Sequence, residues 1–202
     1  MPNGIIPTRA IACCAVAAFA ILAMTGGSGA QSSSAVRPPL PALEGAMPSL
    51  PHGAGHEPAA FAGMLAGHNR ARRAVGVPDL QWSDRLSEIA QGWAQHLGGE
   101  NCAMRHSGVG GLGENLAWAG GQHLSPAAVV SMWVDERRAF NPANGACAPG
   151  SVCGHYTQVV WRDTKFVGCG MVSCGNSEIW VCNYSPPGNS VGDRPYPVAP
   201  TR

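Results

Sequence analysis

Six cysteines between Cys102 and Cys182 limit what this 202-residue chain can fold into more than any other feature. Whether they are thiols or disulfides depends on the redox compartment, and the N-terminus speaks to that. Arg9 precedes an apolar run from Ala10 to Met24. Thr25-Gly26-Gly27-Ser28-Gly29-Ala30 follows, with small residues at the −3 and −1 positions of a cut after Ala30. This is the pattern of a secretory signal peptide over residues 1–30. A membrane anchor would need about 20 apolar residues, and the run is shorter. A lipid anchor on Cys13 or Cys14 is disfavoured because the apolar stretch follows them. Those two cysteines leave with the leader, and the remaining six read as three disulfides, with 15 pairings open from spacing alone. The cytosolic alternative, a thiolate zinc site, would want C-x₂-C knuckles. Cys147 and Cys153 are six apart, and Cys169 and Cys174 five apart.

Charge narrows the partners. Lys and Arg number 13 against 12 Asp and Glu, and loss of Arg9 leaves twelve of each. No basic face for nucleic acid and no membrane span in the mature chain are expected. Residues 31–57 are rich in Pro, Ser, Ala and Gly without an aromatic residue, and read as a linker whose His52 and His56 are solvated. A structured domain is expected over residues 58–202. Phe61, Met64, Leu65 and His68 predict a helix over 58–74. Ser83 caps a second helix, whose stripe is Leu86, Ile89, Ala90, Trp93, Ala94 and Leu97 and whose end is Gly98-Gly99. Ser125 and Pro126 open a third, with Val129, Trp133, Glu136 and Phe140 on one face and Pro142 closing it. The period then falls to two. Tyr156–Arg162, Phe166–Cys174 and Glu178–Tyr184 read as strands, the last two forming a hairpin. Helices followed by antiparallel strands give an α+β class, helices packed on a sheet.

Two motif matches carry no function. Gly108-x-Gly110-x-x-Gly113 lacks the βαβ context of a dinucleotide site and reads as a flexible loop. The sequon Asn183-Tyr184-Ser185 lies in an apolar strand. The zinc-protease signature H-E-x-x-H does not occur. What remains is His106, Glu114, Glu136 and His155. A Glu on the apolar stripe of a helix is costly unless paired or ligated, and His with carboxylate is a zinc-type donor set. The plainer reading is four separate residues: two surface histidines, a helix-cap Glu and a salt-bridged Glu.

Four motifs in order bear on that choice: His68-Asn69-x-x-Arg72, Gly113-Glu114-Asn115-Leu116, Gly154-His155-Tyr156-Thr157-Gln158-Val159-Val160-Trp161 and Cys182-Asn183-Tyr184-Ser185-Pro186-Pro187-Gly188-Asn189. Together they resemble the CAP superfamily of cysteine-rich secretory, antigen 5 and pathogenesis-related class 1 proteins, over about residue 60 to Tyr196. The detail is most similar to the plant pathogenesis-related class 1 pattern, including Trp133-Val134-x-Glu136-Arg137 and Arg194-Pro195-Tyr196. The resemblance implies a three-layer α-β-α sandwich with a central antiparallel sheet. It implies disulfides Cys102–Cys174, Cys147–Cys153 and Cys169–Cys182, and a cleft tetrad of His106, Glu114, Glu136 and His155. In that tetrad His106 and His155 are the ligands for Zn²⁺ or another divalent cation, which folding does not require. His68 falls outside the tetrad and is expected to be structural, with His96 and His123 solvated. One departure is a Gly-rich stretch between His106 and Glu114 longer than in compact plant members.

The function these features point to is that of a secreted, extracellular binding protein (periplasmic in a Gram-negative bacterium). The resemblance implies a sterol, a fatty acid or an extracellular protein as its partner, and Trp118 and Phe140 are candidates to line a groove, against the plainer reading of core packing. The alternative is a metal-dependent hydrolase or peptidase in which Glu114 or Glu136 is the general base. The resemblance also implies a third reading, release of a C-terminal peptide after Ser185, against the plainer one of a tail packed on the domain.

Overall fold

A computed structural model describes residues 55–197, so the leader and most of the linker lie outside the described residues. Within it the elements are α1 (Met64–Ala74), β1 (Gln81–Trp82), α2 (Asp84–Gly98), β2 (Gly113–Gly120), α3 (Pro126–Asp135), β3 (Phe140–Asn141), β4 (Ala146–Cys147), α4 (Gly154–Val159), β5 (Phe166–Cys174) and β6 (Ser177–Ser185). The sheet order is β1-β5-β6-β2. β5–β6 is antiparallel, as expected, and so is β6–β2, while the two-residue β1 adds a parallel edge to β5.

The sheet separates two cores. On one face Ala90, Ala94 and Leu97 of α2 pack on Leu116, Ile179 and Val181. On the other, Met64 of α1, Val129, Val130 and Trp133 of α3, and Tyr156 and Val159 of α4 pack on Ala117, Val167, Trp180, Cys182 and Tyr184. This is a three-layer α-β-α sandwich. β6 is central and covered on both sides, so Glu178 through Tyr184 are all buried. α2 sits unusually low on β5: a Cβ at Gly168 would come within 2.2 Å of the Ser87 backbone nitrogen, so only glycine admits the helix there.

The three disulfides are Cys102–Cys174, Cys147–Cys153 and Cys169–Cys182. The last joins directly opposed residues of β5 and β6. The first ties the segment after α2 to the end of β5, and the second ties β4 to the N-cap of α4.

The motif His68-Asn69-x-x-Arg72 is the buried polar face of α1. Asn69 brackets Leu80, accepting from its N–H at 2.7 Å and donating to its carbonyl at 3.1 Å. The Arg72 guanidinium donates to the carbonyls of Pro78, Val159, Trp161, Arg162 and Thr164, pinning the turn after α4.

Several sequence expectations change. The helix expected over 58–74 breaks at Gly63, whose φ of 98° separates a 3₁₀ turn at Ala59–Phe61 from α1. Gly99 after α2 stays right-handed, and the left-handed residues are Asn101 and Cys102. The third helix ends at Asp135 and tightens into a 3₁₀ turn, Glu136–Ala139, well before Pro142. The strand expected at Tyr156–Arg162 is instead α4 and the turn after it. Tyr156 through Trp161 are buried on all sides, which erases the polar face by which a helix is recognised. β2 was not anticipated, because its Gly, Ala and Asn residues carry little strand signal and only the ladder to β6 makes it one. The C-terminal segment is packed on the body: Gly188 N–H donates to Gln158 at 3.0 Å, Asn189 accepts from Thr157 at 2.7 Å and Arg162 N–H donates to the Pro195 carbonyl at 2.7 Å.

Candidate functional site

Two histidine–glutamate pairs flank β2, the outer strand of the sheet. The first is Glu136–His155. Glu136 opens the 3₁₀ turn after α3, and its carboxylate faces the first turn of α4. Oε2 accepts from the backbone N–H of His155 at 3.0 Å and of Tyr156 at 3.3 Å, and Oε1 meets His155 Nδ1 at 2.6 Å. A carboxylate at a helix N-terminus satisfies donors that lack an intrahelical partner, and here the cap comes from another element. Trp133 stacks on the His155 ring at 6.3 Å and 25°, itself fixed by donating Nε1–H to the Leu116 carbonyl at 2.9 Å.

The second pair is His106–Glu114. Glu114 Oε1 receives His106 Nδ1 at 2.8 Å and the Ser107 N–H at 2.8 Å, and Oε2 lies 3.4 Å from Asn183 Nδ2. Across the longer Gly-rich stretch His106 meets Glu114. Cys102 is held by its disulfide, Arg105 pairs with Glu100 and lies over the Trp93 ring, and Trp93 Nε1 donates to the Arg105 carbonyl. His106 is therefore anchored from its N-terminal side, and the extra residues loop out to solvent, where Gly108 and Gly111 take positive φ.

The chemistry follows from the carboxylates. An ionised carboxylate only accepts, so each histidine donates from Nδ1, and in the neutral ring the lone pair lies on Nε2. Carboxylate-oriented imidazoles of this kind are what metal-binding histidines use. Each ring thus offers one Nε2 as a ligand atom for a cation. The donor set does not fit a centre with three protein ligands, because among the described residues no group of three His, Cys, Asp or Glu converges on one ion. The pairs also differ. His155 is held by backbone, ring face and Nδ1, and its side chain is 24% exposed, whereas that of His106 is 62% exposed.

Other expected residues separate from this site. His68 is fully buried and structural in its contacts, bonding Met64 and Tyr184. His96 is not simply solvated: it stacks on Trp93 at 4.7 Å and pairs with Glu100. The His123 ring is largely in solvent yet meets buried Glu178, which also accepts from Leu124 N–H and Trp180. Phe140 lines no groove; it is core, against Tyr156 and Tyr196. Trp118 is 48% exposed. Asn183 is buried in β6, so the sequon is out of reach. Asn115 is the residue whose part the sequence did not disclose: it lies inside a motif, but its bond to the His155 carbonyl spans 40 residues.

The profile of the cysteine-rich secretory protein family, CAP, matches residues 65–184. The pathogenesis-related protein PR-1 type of Sambucus nigra is 48% identical over 130 residues, 64% of this chain and 77% of that protein. Pathogenesis-related protein 1 of Arabidopsis thaliana is 49% identical over 130 residues, 64% and 78% of the two chains. Among solved structures, Schistosoma mansoni venom allergen-like protein 4 superposes with a TM-score of 0.54 at 27% identity, covering 68% of this chain and 93% of the other. With its sandwich, its three disulfides and its paired histidines and glutamates, this chain belongs to the CAP family and is of the pathogenesis-related protein 1 type.

Proposed function

We infer that this protein is an exported binding protein, not a hydrolase, and that His106 and His155 bind a divalent cation, Zn²⁺ or a similar ion, through Nε2. One observation carries the reading. Each carboxylate takes three internal N–H donors, Glu136 from His155 and Tyr156 and Glu114 from His106, Ser107 and, at 3.4 Å, Asn183, which favours a role in orienting the imidazoles over one as general base. A hydrolytic site would keep a third protein ligand on the ion and a carboxylate free to take a proton from its water. The cation would join two segments from either side of β2 and so stabilise the cleft as a recognition surface. The partner is a sterol or fatty acid, or an extracellular protein, met outside the cell.

The test is Zn²⁺ titration of the oxidised protein against His106→Ala and His155→Ala. Binding at micromolar level or tighter, lost in both variants, is the expected result. Undiminished binding in either variant overturns the shared site. Saturable sterol uptake or capture of an extracellular protein then separates the partner classes. Metal-dependent peptide hydrolysis abolished by Glu136→Gln would replace this reading with the enzymatic one.

A further inference from the structure

A buried chain of hydrogen bonds runs from α1 to the backbone of His155, and its polarity can be assigned at every atom. His68 Nδ1 lies 2.8 Å from the Met64 carbonyl, which can only accept, so Nδ1 carries the proton and Nε2 the lone pair. Tyr184 Oη lies 2.8 Å from that Nε2 and therefore donates its hydroxyl proton to it. The Tyr184 oxygen is left as an acceptor and is met by Asn115 Nδ2 at 3.2 Å. The second hydrogen of the same amide reaches the His155 carbonyl at 3.1 Å. His68 and Tyr184 are 0% exposed and Asn115 is 1% exposed, so the bonds as far as Asn115 are shut off from water, and the last, to the His155 carbonyl, is part-buried.

We propose that Asn115 and Tyr184 are positioning residues for His155, setting where its imidazole stands by holding its carbonyl from the sheet side. Glu136 fixes the N–H and Nδ1 of the same residue from α3, and Trp133 covers its ring. The Asn115 bond completes the set, because it is the one that ties His155 to β2, the strand that also carries Glu114 and through it His106. Asn suits the position because one Nδ2 must donate twice, to a carbonyl and to a hydroxyl oxygen. Asp would offer an acceptor to both and repel the carbonyl. Tyr184 suits its own position because it must accept from Asn115 and donate to His68 at one oxygen. The proposal rests on the cation reading only where affinity is measured.

The experiment is histidine-selective ¹⁵N and ¹³C NMR of the metal-free oxidised protein at one pH, with Tyr184→Phe and Asn115→Ala, followed by Zn²⁺ titration of each. Tyr184→Phe keeps the ring in the core and removes only the hydroxyl. The expected result is movement or broadening of the His155 ring signals with His106 unmoved, and a loss of Zn²⁺ affinity of about tenfold. General loosening would not select one histidine. Unmoved His155 signals in a folded variant overturn the proposal. Moved His155 signals in a protein that binds no Zn²⁺ support the positioning and refute the cation reading. If neither variant folds, the wild type decides: a slowly exchanging Tyr184 hydroxyl proton coupled to His68 is expected, and its absence overturns the relay.

Discussion

Lowering the pH should cost this protein stability through His68 in particular. The ring is fully buried, and burial lowers its pKa from 6.5 to about 4; the bond to the Met64 carbonyl pulls it upward and the charge of Arg72 pushes it down. The groups facing it are Arg72, the Tyr184 hydroxyl and the rings of Trp133 and Tyr184. A protonated Nε2 would also confront the Tyr184 hydroxyl, whose oxygen already accepts from Asn115. Above pH 6.5 the ring is neutral folded or unfolded and contributes no pH dependence. Between 6.5 and about 4 the unfolded chain takes up a proton that the folded chain refuses, so stability falls with falling pH and levels off below about 4. At about 1.4 kcal/mol per pH unit, that interval is worth about 3 kcal/mol, against a total of roughly 5–15 kcal/mol for a domain. Urea unfolding at steps from pH 7.5 to 4 would measure it. The wild type should lose about 3 kcal/mol more than His68→Gln across the window, all other titrating groups being common to both. Parallel curves would refute the reasoning. Should His68→Gln not fold, direct titration of the wild-type His68 ring replaces it, and protonation of that ring near pH 6 in the folded protein gives the same refutation.

Gly168→Ala should destabilise by about 2 kcal/mol by pushing α2 off β5, read as a lower thermal midpoint; an unchanged midpoint would mean that α2 shifts freely. Arg72→Met should cost at least about 3 kcal/mol, because it strands several buried carbonyls, and Arg72→Lys should recover only part of that in urea unfolding. Replacing Cys102 and Cys174 by Ala should cost about 2–4 kcal/mol. It should also weaken Zn²⁺ binding by releasing the anchor of His106, whereas loss of Cys147–Cys153 should act on the His155 side, near the α4 N-cap.

The pattern of residues alone determined a good part of this protein. The six cysteines after residue 100, the capping residues Ser83 and Ser125, and the Val, Ile, Trp and Tyr content of Phe166–Cys174 and Glu178–Tyr184 are local signals, and the three disulfides, α2, α3 and the β5–β6 hairpin agree with them. The motifs also singled out His106, Glu114, Glu136 and His155, which the structure joins as two pairs, His106 with Glu114 and His155 with Glu136. Tertiary structure decided what local signals cannot carry. β2 is a strand because β6 lies beside it, and α4 is a helix whose surroundings are apolar on every side, so neither shows its period in sequence. The pairing of His106 with Glu114, of His155 with Glu136, and the tie from Asn115 to His155 join residues up to 40 positions apart. Which nitrogen of each imidazole is free depends on those partners, since a ring's tautomer is set by the acceptor it meets. Composition fixes the chemical types available, and only the packed sheet edge determines which lone pairs face outward.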